Sequence, residues 1–289
     1  MNSISQRLGW KLPQITDPTL YHYCSGSTLI AVAEHSRVRA CDLRKMNDYM
    51  EFEWGRSVFS DAAKLVVDQT STDFIAQVTE HVDASRNYML PIAACFSRKG
   101  DVLSQWRAYA DDGAGFAVGF KTEALRKFPG NLFPVLYDRG RQLELMRSHL
   151  VAEFGRWSKI GKDEDKEEEI NNIGTVLAAD ICLFKNPAFA EEEEVRLVYL
   201  LNIWEEDGAN PSLKDPNAEG DLIPEHNVSY LCRNGEIVPH CDLKGTEAQP
   251  FSNIVIGPKS GSTLLDVKVL LSAFGHRDTE VVKSSASYR

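Results

Sequence analysis

With 289 residues, 43% of them hydrophobic and 26% charged, the chain can bury a sizeable core without disulfides or metal and has the composition of an ordinary globular protein. Its net charge of −10 excludes nucleic-acid binding by general electrostatics, which needs a basic face that releases counterions, and leaves room only for a local basic groove. No stretch approaches the ~20 apolar residues of a membrane span, the opening MNSISQRLGWKLPQ lacks an apolar signal core, and six scattered cysteines suit free thiols better than a disulfide framework, so a cytoplasmic protein is expected.

In chain order, Thr19 to Ser25 reads as an aromatic-rich strand, and Thr28 to Glu34 as a helix after a Ser/Gly turn. Arg39 to Glu53 reads as a polar loop whose Asn47-Asp48 pair suits a turn or helix cap. Apolar residues at helical spacing (Ala63, Leu65, Val66, then Phe74, Ile75, Val78) predict two helices broken near Gln69 to Thr72. Met89 to Ser97 is an apolar run of strand length, with Ile92, Ala94 and Phe96 on one face and Ala93, Cys95 and Ser97 on the other. A short helix follows at Ser104 to Ala110, capped by Ser104, and then a strand at Gly115 to Phe120.

Arg141 to Trp157 and Ile170 to Phe184 have helical periodicity, joined by the charge run GKDEDKEEE as a solvated loop or exposed helical turn. Val195 to Leu201 reads as a strand. Beyond it the chain is loop-rich, with short strands at Val228 to Arg233, Ile237 to Leu243 and Ile254 to Ile256, and a last helix near Thr263 to Phe274. No repeat or linker divides two cores. The expectation is one α+β domain over residues 1–289, with a mixed β-sheet core at about 19–275, helical insertions and a frayed tail from Ser284.

Several motifs fail on context. Gly113, Gly115 and Gly119 enter a strand rather than open a helix, so they fit close packing better than a dinucleotide fingerprint. Gly257 to Thr263 lacks the Gly-Lys-Ser/Thr ending of a phosphate loop, which leaves a strand-to-helix turn where Lys259 and backbone amides can meet an anion. Cys232, His240 and Cys241 lack the spacing of a metal site, and no metal is expected.

The acidic run Glu191 to Glu194 stands at the head of the Val195 strand. If strand geometry begins early, Glu192, Glu194 and Arg196 project on one side, with Arg196 keeping one carboxylate ionised while crowding raises the other. Such a cluster can polarise a sugar hydroxyl or stabilise a cationic transition state; the plain alternative is a solvated loop with a surface ion pair. His22 lies mid-strand, and Trp106 and Tyr109 are ordinary core aromatics by default.

LYHYCS, MNDYME, CFS with SQWRAYADDGAGFAVGF, FKNPAFAEEEEVRLV and IVIGP occur in that order from Leu20 to Pro258. Together they resemble a widespread bacterial family, domain of unknown function 2971. The family usually carries a hydroxyl residue where this chain has Cys24, so no role is carried over to that position. The family layout is similar to that of ADP-ribosyltransferases, which place a His or Arg on an early strand, a Ser or Tyr in the middle, and a Glu, often as ExE, at the head of a later strand. That resemblance implies His22 for the first position, Ser97 or Tyr109 for the middle, Glu194 for the last, and Glu192 as the preceding Glu of ExE.

It further implies an enzyme with NAD as substrate that transfers ADP-ribose to a protein or nucleic-acid acceptor, in a toxin or phage-defence setting with an antitoxin or regulatory partner and no membrane. Glu194 and Glu192 would be catalytic; His22 would hold the adenosine-side ribose, Tyr109 or Trp106 would stack on nicotinamide, and Arg196 would position Glu194. Two other classes compete: a non-catalytic sensor or interaction module, and a metal-dependent phosphodiesterase gathering Asp48, Glu51, Glu192 and Glu194 around a hard cation.

Overall fold

In the computed structural model, which describes residues 7, 11–45, 50–204, 212–214, 228–233 and 235–288, strand β1 (Thr19–Cys24) leads into helix α1 (Gly26–His35). Ser25 caps that helix by accepting from the Thr28 amide, and Ser36, left-handed at φ 51°, turns the chain directly into β2 (Arg37–Asp42). Helices α2 (Glu51–Val66) and α3 (Thr72–Tyr88) are separated by a 3₁₀ turn at Val67–Gln69, with Ser71 capping α3. Then come β3 (Met89–Ser97), α4 (Leu103–Tyr109), β4 (Phe116–Lys121), the single turn α5 (Thr122–Leu125) and β5 (Asn131–Pro134). Helices α6 (Arg139–Trp157) and α7 (Asp163–Ile181) precede β6 (Glu194–Trp204) and β7 (Ser212–Lys214). The chain closes with β8 (Ser229–Arg233), β9 (Glu236–Lys244), β10 (Phe251–Ile256), α8 (Leu264–Ala273) behind a Thr263/Asp266 capping box, and β11 (Glu280–Lys283).

All these strands join one sheet, in the order β11-β10-β4-β1-β3-β2-β9-β8, with β6 pairing β3, β5 and β7. Among the described strands only β10 and β11 pair in parallel, so the fold is α+β around a mixed sheet. One face, with Leu20, Ile92, Phe96, Val118, Leu197 and Ile254, packs under α1 and α8 through Leu29, Val32, Val267 and Leu271. The other, with Met89, Ala93, Val198 and Leu200, meets Ala178 and Ala179 of α7. Behind α7, α2, α3 and α6 build a second core around Phe59, Phe74, Val82, Met146 and Leu177. No helix among the described residues is long and apolar enough to cross a membrane.

The pairing of β3 creates the cavity. One edge of β3 is bonded along its whole length to β6, from Met89 opposite Asn202 to Ser97 opposite Glu194. The other edge is shared: β2 meets it at Ile92 and Ala93, while β1 meets it at Ser97. Both strands run antiparallel to β3, so they compete for the residues between and splay apart there.

Several expectations are corrected. β2 takes the first four residues of the supposed polar loop, Arg39 to Asp42, because its alternating Arg37, Arg39 and Cys41 line the cavity while Val38 and Ala40 are fully buried. The Asn47-Asp48 cap lies outside the described residues. Helix α4 begins behind Val102, which makes no side-chain cap bond, and Ser104 sits inside the helix with its buried hydroxyl unbonded. The charge run before Ile170 is the first half of α7. The tail is held rather than frayed: Ser284 and Ser285 donate to Asp101, and Tyr288 donates to Asp112 at 2.6 Å. The glycines do serve close packing, since a Cβ on Gly115 would lie 2.2 Å from the Cys24 carbonyl oxygen and one on Gly119 2.3 Å from Asn253. Lys259 is engaged by Asp112 at 2.6 Å.

Candidate functional site

Where β1 and β2 splay, a cavity of about 1220 Å³ opens, larger than the roughly 300–1000 Å³ of common small-molecule sites. His22, Ser97, Tyr109, Glu192, Glu194 and Arg196, which the sequence places far apart, all line it.

His22 is fixed by the fork itself. In the stretch of β3 where the two strands part, the Cys95 carbonyl takes a bond from His22 Nδ1 at 2.9 Å. A carbonyl oxygen only accepts, so Nδ1 carries the proton and Nε2 keeps its lone pair. Burial lowers the imidazole pKa, opposed by that same bond, so the ring is neutral at pH 7.

The carboxylates arrive by a route that strand alternation alone does not describe. β6 begins at Glu194, and Glu192 ends a 3₁₀ turn (Pro187–Glu192). Between them Glu193 is left-handed at φ 43°, which returns Glu192 to the side of Glu194 and leaves Glu193 to pair with Lys99. Glu192 and Glu194 are both buried, whereas Glu191 is exposed. The Ser97 hydroxyl donates to the Glu192 carbonyl at 2.8 Å and so holds the turn against the end of β3.

Glu194 is bound from several sides. Arg196 donates Nε to Oε1 at 2.7 Å and Nη2 to Oε2 at 3.0 Å, and Lys185 Nζ reaches Oε2 at 3.0 Å. Its backbone amide donates to the Tyr137 hydroxyl at 3.0 Å. Burial works against its charge, but Arg196 and Lys185 outweigh it and hold the carboxyl at about 2. Lys185 also reaches Glu192 at 2.5 Å and Glu51 at 3.9 Å, and Arg196 pairs with Glu51. The Tyr109 hydroxyl donates to Glu192 at 3.0 Å. Its phenol is pushed up, first by burial and then by Glu192, so it stays a donor.

Among the described residues three carboxylates thus face two cations, a surplus of one negative charge at the closed end of the cavity when all three are ionised. The carboxyl with the raised pKa is Glu51, where burial comes first and Glu194 adds to it. Lys185 lies among the carboxylates in the place a hard cation would take, and among the described residues no His, Cys, Asp and Glu group has a metal-binding arrangement. Asp48, the fourth member of the phosphodiesterase set, lies outside the described residues.

Trp106 is corrected. It is fully buried, its ring packs edge-on to Tyr23 at 4.8 Å, and its Nε1 donates to Asp101 at 2.7 Å, so it cannot stack on a ligand in the cavity. Arg196, only 1% exposed and bonded also to the Cys182 carbonyl, positions Glu194 and has no surface left for a phosphate. Sequence reading did not assign Lys185, and used Glu51 only as a metal ligand.

An α+β chain with a forked sheet and a buried carboxylate cluster at the fork defines the class. Residues 105–197, which run from α4 to the head of β6 and include Tyr109, Lys185, Glu192, Glu194 and Arg196, match the profile of the family described as Protein of unknown function (DUF2971). The match covers 93 of the 289 residues of the chain. No curated protein and no solved structure matches it.

Proposed function

We propose that the cavity binds a nicotinamide dinucleotide and that the protein transfers its ADP-ribose unit to a macromolecular acceptor. The observation that carries this reading is the meeting of His22, Tyr109, Glu192 and Glu194 on one cavity whose closed end holds a surplus negative charge. Cleaving the bond between nicotinamide and ribose passes through an oxocarbenium-like state, and fixed negative charge in a site sheltered from water favours that state. Glu194, ionised at all ordinary pH, faces the reacting ribose. The lone pair on His22 Nε2 accepts from a hydroxyl of the other ribose, and the Tyr109 ring stacks on nicotinamide. Nicotinamide leaves with the electrons of the broken bond; the acceptor supplies a new pair to the ribose carbon and gives its proton to Glu192. Ser97 acts on the fold of the acidic turn. A cytoplasmic toxin or phage-defence role, controlled by an antitoxin or regulatory partner, belongs to the same proposal and comes from the family resemblance.

The test is nicotinamide release from NAD. Glu194→Gln is expected to reduce it ~10²-fold or more, the size of single electrostatic contributions to such transition states. Because the substitution removes the surplus charge, the variant is expected to stay folded. Wild-type protein that releases no nicotinamide with protein or nucleic-acid acceptors overturns the reading.

One observation favours a second reading. Both oxygens of Glu194 are already engaged by Arg196 and Lys185, as in a structural ion-pair cluster. A non-catalytic sensor would use the same cavity for binding alone, and its ligand affinity would survive Glu194→Gln.

A further inference from the structure

We propose that the β2–β9 wall of the cavity is a phosphate-binding subsite in which Arg37 and Lys244 hold two linked phosphate groups. The proposal rests on the dinucleotide reading for the source of those phosphates, and its geometry is independent of the carboxylate cluster.

The wall is set by register. Arg37 and Lys244 are direct cross-strand partners between β2 and β9, and both line the cavity. Like charges directly opposite each other destabilise an antiparallel pair. Neither makes an ion pair among the described residues, although the charge of Arg37 also helps to keep Asp242 ionised, in a chain whose net charge is −10. Their neighbours two residues along, Arg39 and Asp242, are also cross-strand partners, but they satisfy each other through bonds of 2.8 and 3.1 Å. Arg233 lines the same cavity from β8. The acid opposite it in register, Glu236, is taken by Lys45 at 2.9 Å, and Arg233 instead reaches the Cys41 thiol.

Arg37 and Lys244 therefore stand opposite each other without an ion-pair partner of their own, with Arg233 further along the same wall, while every carboxylate of the closed end has a cation against it. Arg37 and Lys244 are exposed and Arg233 half-buried, so the cavity runs from a basic, solvated side to an acidic, buried one. That polarity suits a ligand with anionic phosphates at one end and a group that becomes cationic at the other. A guanidinium fork matches phosphate oxygens in pairs, and an ammonium directly opposite it adds a second positive centre, which suits linked phosphates better than a single one. Facing solvent, such a wall also draws anions toward the cavity.

Calorimetric titration of the full chain with inorganic pyrophosphate, ADP-ribose and nicotinamide riboside tests this. In the Arg37→Gln/Lys244→Gln double variant, pyrophosphate and ADP-ribose are expected to bind about tenfold or more weakly, and phosphate-free nicotinamide riboside as in the wild type. An unchanged melting temperature is expected, because a repulsive pair is removed, and the charge-retaining Arg37→Lys variant should recover most of the affinity. Pyrophosphate that fails to bind the wild type at millimolar concentration, or binds the double variant equally, overturns the proposal. A raised KM for NAD with kcat kept assigns the phosphates to the dinucleotide; an unchanged KM with slower transfer to a phosphate-bearing acceptor assigns them to the acceptor. Pyrophosphate binding without nicotinamide release leaves this subsite standing and removes the transferase reading. Nicotinamide release without pyrophosphate binding does the reverse.

Discussion

Two clusters of buried charge among the described residues differ in balance. At the cavity, Glu51, Glu192 and Glu194 face Lys185 and Arg196. Among the helices, Glu153, Glu169 and Asp180 face Arg7, His149 and Arg156. His149, with no exposed surface, sits between Asp180 at 2.8 Å and Glu153 at 3.0 Å and ties α6 to α7. Among the described residues three acids meet three bases there, and none of these side chains lines the cavity. The balanced cluster joins helices, whereas the unbalanced one faces a space large enough for a ligand. Buried carboxylates with displaced pKa values therefore do not mark a site by themselves; net charge and access to a cavity separate the two cases.

The comparison breaks most sharply at Glu153. Glu153→Gln leaves Arg7, Arg156 and His149 facing only two acids, and a loss of about 3–5 kcal/mol in denaturant unfolding is expected, as for breaking a buried pair. Glu194→Gln should cost much less stability, because it leaves two acids against two bases. An equal loss in both variants would remove the distinction.

A smaller effect comes from pH. His149 is raised from 6.5 to about 9 because its bonds to Asp180 and Glu153 together exceed the opposing cost of burial. It binds its proton more tightly when folded, so its contribution is complete below about pH 6.5 and is lost as pH rises through about 9, on the order of 3 kcal/mol in all. Glu153, depressed to about 2 by His149, Arg156 and Arg7 against burial, contributes above about pH 4.5 and loses that contribution as pH falls through about 2. Melting temperatures should therefore fall between pH 6.5 and 9, and His149→Gln should flatten that slope.

Much of the fold was legible because apolar periodicity carried it. Met89 to Ser97 matches β3 in full, and the two-helix break, Thr263 to Phe274 and the strand after Glu194 hold within a few residues. β2 was hidden because one of its faces is charged for the cavity rather than for solvent, so Arg39 read as the start of a loop and Arg37 fell in no element. β11 is short and finds its parallel partner only through α8, a pairing that local pattern does not reveal. At the site, alternation selected Glu192 and Glu194, but the left-handed Glu193 is what joins them. Lys185 and Glu51 were illegible for a different reason. They converge from the segment after α7 and the start of α2, and nothing local to either residue states that convergence.

The most direct measurement is a crystal structure of the full chain with NAD or ADP-ribose bound. The account predicts the nicotinamide-side ribose against Glu194, a hydroxyl of the adenosine ribose within hydrogen-bond distance of His22 Nε2, and the pyrophosphate on the Arg37 and Lys244 wall. A dinucleotide bound outside the cavity, or inside it with both riboses away from Glu194 and His22, would contradict it.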